Sequence, residues 1–262
     1  MNNLSGKKVW ITGASGGLGR AIAEESARRG ADLILTARDE RKLLQTKERC
    51  RQFGSGSILV RPFDLNETTD ISSFAKAVLD ESGGVDILVN NAGFGLFEKL
   101  EDTPDDMISS MISVNVIALM LMSKAVIPHM KSGSGHIVNI ASQAGKLATP
   151  KSSVYSAAKH AVLGFSNSLR MEVAENNIFV TSVNPGPIET DFFDTADTTG
   201  RYAESVKRWM LSPQVVAVKT VDAFQTDKRE INLPGWMNAV SKAYSLAPGM
   251  VERLGKKGFN QK

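Results

Sequence analysis

The chain has a single cysteine, Cys50, among 262 residues. One thiol excludes an intramolecular disulfide, so a reducing compartment, the cytoplasm, is the expected home. The N-terminus, Met1 to Lys8, carries no apolar h-region, and no signal peptide is expected. Long hydrophobic runs are also missing. The run Val116 to Met122, the longest near the middle, is far too short to span a bilayer. Neither sign of charge is in large excess: the formal net charge is +3, and no motif or basic cluster supports a nucleic-acid partner. No repeat or low-complexity segment is present, and no metal site is expected. The chain is 42% hydrophobic, enough for a substantial core, and its length suits one large α/β domain.

Apolar strand-like runs alternate with helical patterns. This predicts an α/β fold, a Rossmann-like doubly wound parallel sheet of about seven strands with helices on both faces. Strands are expected near 7–12, 32–36, 57–61, 86–89, 135–140, 178–183 and 229–233. Helices are expected near 17–29, 39–53, 68–82, 105–130 and 152–175, with Gly30, Gly54 and Gly83-Gly84 at helix ends. No linker separates a second domain, so 1–262 is read as one domain.

The first strand, Val9-Trp10-Ile11, runs into Thr12-Gly13-Ala14-Ser15-Gly16-Gly17-Leu18-Gly19, and a helical pattern follows from Ala21. Strand, Gly-rich turn and helix together form a credible dinucleotide-binding context. Gly13 suits the tight turn, Gly17 leaves room for a pyrophosphate, and Gly19 allows close packing of helix on sheet. Ser15 and Leu18 belong to the same phosphate-facing turn, and the helix N-terminus adds partial positive charge. At the end of the second strand stands Ala37-Arg38-Asp39. An acid there would bind the ribose 2′-OH of NAD, whereas an arginine suits the 2′-phosphate of NADP. Arg38 therefore favours NADP (NADPH) over NAD, and Asp39 reads as a helix N-cap.

Tyr155 and Lys159 lie at i, i+4 on one helix face, with Ser142 thirteen residues upstream of the tyrosine. An ammonium beside a phenol favours the phenolate and lowers its pKa. A serine hydroxyl nearby could hold a substrate oxygen against that phenol. The set is suited to moving a proton on or off an alcohol or carbonyl oxygen.

With these pieces in order, the chain resembles the classical short-chain dehydrogenase/reductase family over roughly residues 7 to 190. Asn90-Asn91-Ala92-Gly93, Asn115, Ser142, Tyr155/Lys159, Asn184-Pro185-Gly186 and Thr190 fall at family-like spacing. The resemblance implies a catalytic set of Asn115, Ser142, Tyr155 and Lys159. Lys159 would also hydrogen-bond the nicotinamide ribose, and Asn115 would hold a water linking Lys159 to solvent. Asp64 would hydrogen-bond the adenine, although a turn aspartate is the plain alternative. Asn91 and Gly93 would line the cofactor cleft, and Ile188 and Thr190 would hold the nicotinamide carboxamide. The family also pairs through its two long helices, here 105–130 and 152–175, which implies a homodimer or homotetramer.

After Thr190 a substrate lid is expected over about 191–212, holding Phe192, Phe193, Tyr202, Trp209, Met210 and Leu211. These side chains either face an apolar or bulky carbonyl substrate or simply pack the lid down. Ser212-Pro213 reads as a helix start. An extension over about 234–262 carries Trp236, Val240, Ala243, Tyr244 and Ala247 at helical spacing, then Met250, Val251 and Leu254 flanked by Arg253, Lys256 and Lys257. It could pack on its own domain, cover the substrate entrance, meet a partner subunit or, least favoured, rest on a membrane surface. The functional expectation is an NADP-dependent oxidoreductase acting on a small-molecule carbonyl or alcohol. The alternatives are an NAD-dependent alcohol dehydrogenase and a non-catalytic NADP sensor.

Overall fold

The computed structural model describes residues 3–54, 56–130, 135–197 and 199–259, with the backbone alone from residue 254 onward. Seven strands form one sheet: β1 Lys8–Thr12, β2 Asp32–Thr36, β3 Ile58–Val60, β4 Ile87–Asn90, β5 His136–Ile140, β6 Phe179–Pro185 and β7 Glu230–Leu233. Their order is β3-β2-β1-β4-β5-β6-β7, and every pairing is parallel. The chain winds outward from β1 to β3, then returns to start the other half at β4. The carboxyl ends of β1 and β4 therefore flank the point where strand order reverses, the usual ligand crevice of such sheets.

The helices are α1 Gly17–Arg28, α2 Glu40–Arg51, α3 Ile71–Ser82, α4 Asp105–Ile112, α5 Ala118–Val126, α6 Ser153–Glu172, α7 Phe192–Ala196, α8 Arg201–Val206, α9 Pro213–Asp222, α10 Gly235–Leu246 and α11 Pro248–Phe259. The period-2 alternation of β1 divides the interior in two. Val9 and Ile11 join a core with α1, α2 and α9, while Trp10 joins the opposite core with α3, α5 and α6. Trp10 is fully buried, donates from Nε1 to Thr36 Oγ1 at 2.9 Å and meets the Phe74 ring at 6.1 Å. β4 and β5 are buried along their whole length, as expected for parallel strands covered on both faces.

Strand positions agree with the pattern to within a residue or two, and the helices mostly do. The helix expected over 105–130 is the main departure. It is α-helical to Ile112, π-helical over Ser113–Ile117, α-helical again to Val126, and ends in a short 3₁₀ turn, Ile127–His129. Asn115 causes the fault: its Nδ2 donates to Met111 O at 2.9 Å and to Phe94 O at 2.8 Å. A side chain inserted into the backbone ladder is a recognised origin of such bulges. By length and composition the segment Asp105–His129, mean hydropathy 1.8, could cross a membrane. Here it lies in the helical layer, where α5 packs on α3 and α4 packs on α6.

The tail also departs from the expected stripe. Trp236 and Ala243 are exposed, whereas Val240, Tyr244 and Ala247 of the stripe are half-buried, with Met237 and Ser241 turned inward beside them. Met237 sets the rotation, because its Sδ would lie 2.9 Å from a Cβ at Gly186. Met250 and Arg253 are exposed, while the side chains of Leu254, Lys256 and Lys257 lie outside the described residues.

A buried histidine ties β5 to β6 and to the turn after α9. His136 Nδ1 accepts from Gln225 N at 2.8 Å, which leaves Nε2 to donate to Thr181 Oγ1 at 2.9 Å. Burial pushes its pKa from 6.5 down to about 3. The unfolded chain thus takes up this proton below pH 6.5 and the folded protein does not until about pH 3. The stabilising contribution is present above pH 6.5 and is lost as pH falls through that window. We expect urea midpoints to drop between about pH 6.5 and 5 with a slope of up to ~1.4 kcal/mol per pH unit from this group. His136→Gln should flatten that slope, which equilibrium unfolding at several pH values would measure.

Candidate active site

The first βα turn lies at the crevice. Gly13 and Gly17 adopt φ of +65° and +50°, in the left-handed region. A Cβ at Gly13 would fall 2.8 Å from Ala92 Cα, and one at Gly19 2.2 Å from Gly13 O. Backbone therefore meets backbone here with no space for side chains. Asn91 locks the approach: Nδ2 donates to Thr12 O and Gly13 O at 2.9 and 3.2 Å, and Asn91 N donates to Thr12 Oγ1 at 3.0 Å. Asn91 lines the cleft, but its amide is spent on shaping the turn. No side chain caps the N-terminus of α1, so its first N–H groups remain available to an anion. Gly17 approaches Thr190, whose Cβ would lie 3.3 Å from a glycine Cβ, so the turn and the start of the lid close over one another.

One cleft of about 710 Å³ runs from this turn to Tyr155 and the lid. Its far end holds Arg38, with a side chain 78% exposed and Nη1 4.0 Å from Asp64 Oδ2. Asp64 also accepts from Asn66 N at 2.9 Å, the turn-aspartate geometry, while still lining the cleft. Asp39 caps α2 by accepting from Lys42 N at 3.0 Å. Lys42 lines the same end. A side-chain-free anion cradle at a helix N-terminus fits the pyrophosphate of a dinucleotide.

Ser142, Tyr155, Lys159 and Asn115 meet at the middle of the cleft. Ser142 follows β5; its Oγ accepts from Ala144 N at 3.1 Å, donates to Pro185 O at 3.4 Å and lines the cleft together with the Tyr155 phenol. Lys159 Nζ donates to Ile140 O at 3.0 Å and lies 5.6 Å from the Tyr155 ring centroid. Asn115 Oδ1 is buried with no hydrogen-bond partner among the described residues. Gly93 stands between: a Cβ there would lie 2.5 Å from Asn115 Oδ1 and 3.6 Å from Lys159 Nζ. The glycine thus keeps the two polar groups open to each other.

Burial, not a neighbouring charge, dominates the Tyr155 pKa. Burial pushes the phenol up to about 12, outweighing the Ser142 hydrogen bond that favours the phenolate, and Tyr202 adds slightly to the rise. Burial also brings Lys159 down to about 8. Both groups are removed from water together, and desolvation penalises the charged form of each.

The lid leaves after β6 and returns at Leu211, closed at its base by a bridge between Ile188 and Leu211. Its residues divide between the two readings open from sequence. Leu211 packs on the core, and Trp209 is exposed, meeting Trp236 edge-on at 5.9 Å. Phe192, Phe193 and Tyr202 face the cleft. The sequence reading missed Lys42, Phe97 and Met237, which line the cleft as well. Phe97 had a signal: Phe94-Gly95-Leu96-Phe97 is an apolar loop segment directly after a cofactor motif. Ser212 precedes α9 with Pro213 at its first turn, but makes no side-chain cap.

The comparisons agree with this geometry. The human dehydrogenase/reductase SDR family member 7 is 37% identical over 198 residues, covering 74% of this chain and 58% of that protein. The chain thus spans somewhat over half the length of that relative. A D-beta-hydroxybutyrate dehydrogenase from Rhizobium meliloti is 37% identical over 209 residues, covering 76% and 80% of the two chains. Among solved structures, a short-chain dehydrogenase/reductase from Burkholderia phymatum in complex with NAD superposes with TM-score 0.85 at 25% identity, over 95% of this chain and 96% of that one. A short-chain dehydrogenase from Sphingobium yanoikuyae in complex with NADPH gives 0.80 at 29% identity, over 94% and 95%. The family model for short chain dehydrogenases matches residues 7–200, and the chain belongs to that family.

Proposed function

We propose that this chain is an NADP-preferring oxidoreductase that interconverts a carbonyl and an alcohol, with Tyr155 as the acid or base. The convergence of Ser142, the Tyr155 phenol and Lys159 in one cleft with a phosphate-sized cradle carries the reading. A nicotinamide bound along the cleft would supply or accept the hydride. Ser142 would orient the substrate oxygen, and Tyr155 would donate to it in the reductive direction. A phenol pKa of about 12 keeps the proton on Tyr155 at neutral pH, ready to be given. The Lys159 ammonium would then stabilise the phenolate left behind. Asn115 Oδ1, facing the gap at Gly93, would anchor the route by which that proton is replaced. Gly13, Ser15, Gly17, Leu18 and Gly19 would hold the pyrophosphate.

The cofactor preference rests on Arg38 and Lys42, two cations where an acid would suit NAD. A 2′-phosphate would compete with Asp64 for the Arg38 guanidinium, which is nearly all in solvent and pays little to turn. We also read the helical layer of α4 to α6 as a pairing face, supported by exposed Ile117 and Met171.

Tyr155→Phe should lower turnover at least about a thousandfold while leaving NADPH affinity within a few-fold, since only the proton donor is lost. Steady-state rates beside fluorescence titration of NADPH test this; a fully active variant rules out the mechanism. Arg38→Ala should weaken NADPH at least about tenfold more than NADH. Equal losses in the two titrations would refute the assignment. For reduction, kcat/KM should hold at neutral pH and fall above a break near 8, where Lys159 loses its proton while Tyr155 keeps its own. A pH–rate profile locates the break.

A further inference from the structure

We infer that the substrate half of the cleft selects an uncharged ketone or alcohol bearing an aromatic or similarly flat ring, and rejects carboxylate-bearing substrates. This rests on the oxidoreductase reading above and goes further in naming the substrate class. Two rings, Phe97 and Phe192, pack against Tyr155, and Phe193 and Tyr202 pack on those in turn. Phe97 lies 5.9 Å from Tyr155, 6.2 Å from Phe192, 6.3 Å from Phe193 and 5.1 Å from Tyr202. Phe192 also lies 5.7 Å from Tyr155. All of these contacts are edge-on or tilted, so no ring of the cluster is stacked face to face on another. None of the four belongs to a core cluster, and each is half-buried while lining the cleft. They pack on one another and line the cleft.

The cage is held in shape by backbone. Phe97 N donates to Ala196 O at 2.7 Å, joining the loop after β4 to the end of α7. Asp197 then accepts from Ala203 N at 2.8 Å and Thr199 Oγ1 at 2.9 Å, setting α8 and therefore Tyr202. Gly95 lies against the rings: a Cβ there would sit 2.9 Å from Tyr155 Cδ2 and 3.0 Å from Phe192 Cζ. The glycine thus lets the backbone pack directly against the Tyr155 and Phe192 rings.

Charge decides the other half of the inference. Among the described residues lining the cleft, the cations Arg20, Arg38 and Lys42 sit with α1, β2 and α2 at the dinucleotide end. Lys159 is buried and committed to Ile140 O. The charged group on the lid side is Asp191, an anion. A substrate carboxylate would lose water against aromatic faces and meet no cation there, a cost that a neutral ring avoids.

The test uses the full chain saturated with NADP. Calorimetric titration with 1-(2-naphthyl)ethanol and with 3-hydroxybutyrate should show the naphthyl alcohol at least about tenfold tighter. Equal or weaker binding of the naphthyl alcohol overturns the inference. Phe97→Ala should reduce its affinity at least about fivefold, and Phe193→Arg should raise that for 3-hydroxybutyrate. If neither variant, with thermal melting showing it folded, changes the ratio, the cage does not select. Reduction of 2-acetonaphthone and acetoacetate is assayed in parallel. Turnover of acetoacetate in preference to the naphthyl ketone would overturn the cage and leave the oxidoreductase reading standing. Selective binding without turnover of either ketone would support the cage and count against that reading.

Discussion

The site depends on a chain of buried amide and hydroxyl groups that crosses the middle of the sheet. Asn90 and Asn139 are register partners on β4 and β5. Asn90 Nδ2 donates to Asn139 Oδ1 at 2.9 Å and to Ser123 Oγ on α5 at 3.0 Å. Asn139 Nδ2 donates to Ser166 Oγ on α6 at 2.9 Å. Each serine hydroxyl returns to its own helix, Ser123 to Leu119 O and Ser166 to Val162 O. Apolar contacts alone would let a helix slide or rotate on a sheet at modest cost. A buried amide with its partner displaced loses roughly 1–3 kcal/mol, so this chain sets the axial position of both helices. The segment leading into α5 brings Asn115, and α6 brings Tyr155 and Lys159. Their meeting with Ser142, at the end of β5, follows from that fixed geometry.

Desolvation then shapes the chemistry of the groups brought together. Tyr155 and Lys159 are both buried, and their pKa values move apart, to about 12 and about 8. The phenol is held as an acid and the ammonium sits near its titration point. The proton inventory near neutral pH is therefore governed by the lysine. The cleft joins this polar centre to two unlike ends. One is cationic and backbone-lined, suited to phosphates; the other is aromatic and bounded by an anion.

Much of this was legible from the chain because parallel sheets leave strong patterns. Buried strands such as Val9–Ile11 read as apolar runs, and the glycines of the first turn are required by backbone contact that no side chain could tolerate. The break at Asn115 was not legible. Ser113-Val114-Asn115-Val116 is compatible with an ordinary helix, and the bulge arises because Asn115 reaches Phe94 O, a partner distant in sequence. The tail misled for a similar reason. Its periodicity is genuine, but a stripe of apolar residues on a helix does not say which face has a neighbour. Met237 against Gly186 settled the rotation, leaving Trp236 outside.

The sequence by itself predicted the alternation of strands and helices in a parallel sheet, the Gly-rich turn after β1, and the side chains proposed for phosphate and protons. These are consequences of local period, backbone sterics and residue chemistry, and all act over a few residues. Only the tertiary structure decided the ionisation of Tyr155 and Lys159, because desolvation depends on everything packed around them. It also decided how the lid divides, with Leu211 and Trp209 turned away from the cleft and Phe192, Phe193 and Tyr202 turned into it. That division depends on contacts to Phe97 and Trp236, residues far along the chain that meet the lid only after the sheet has formed.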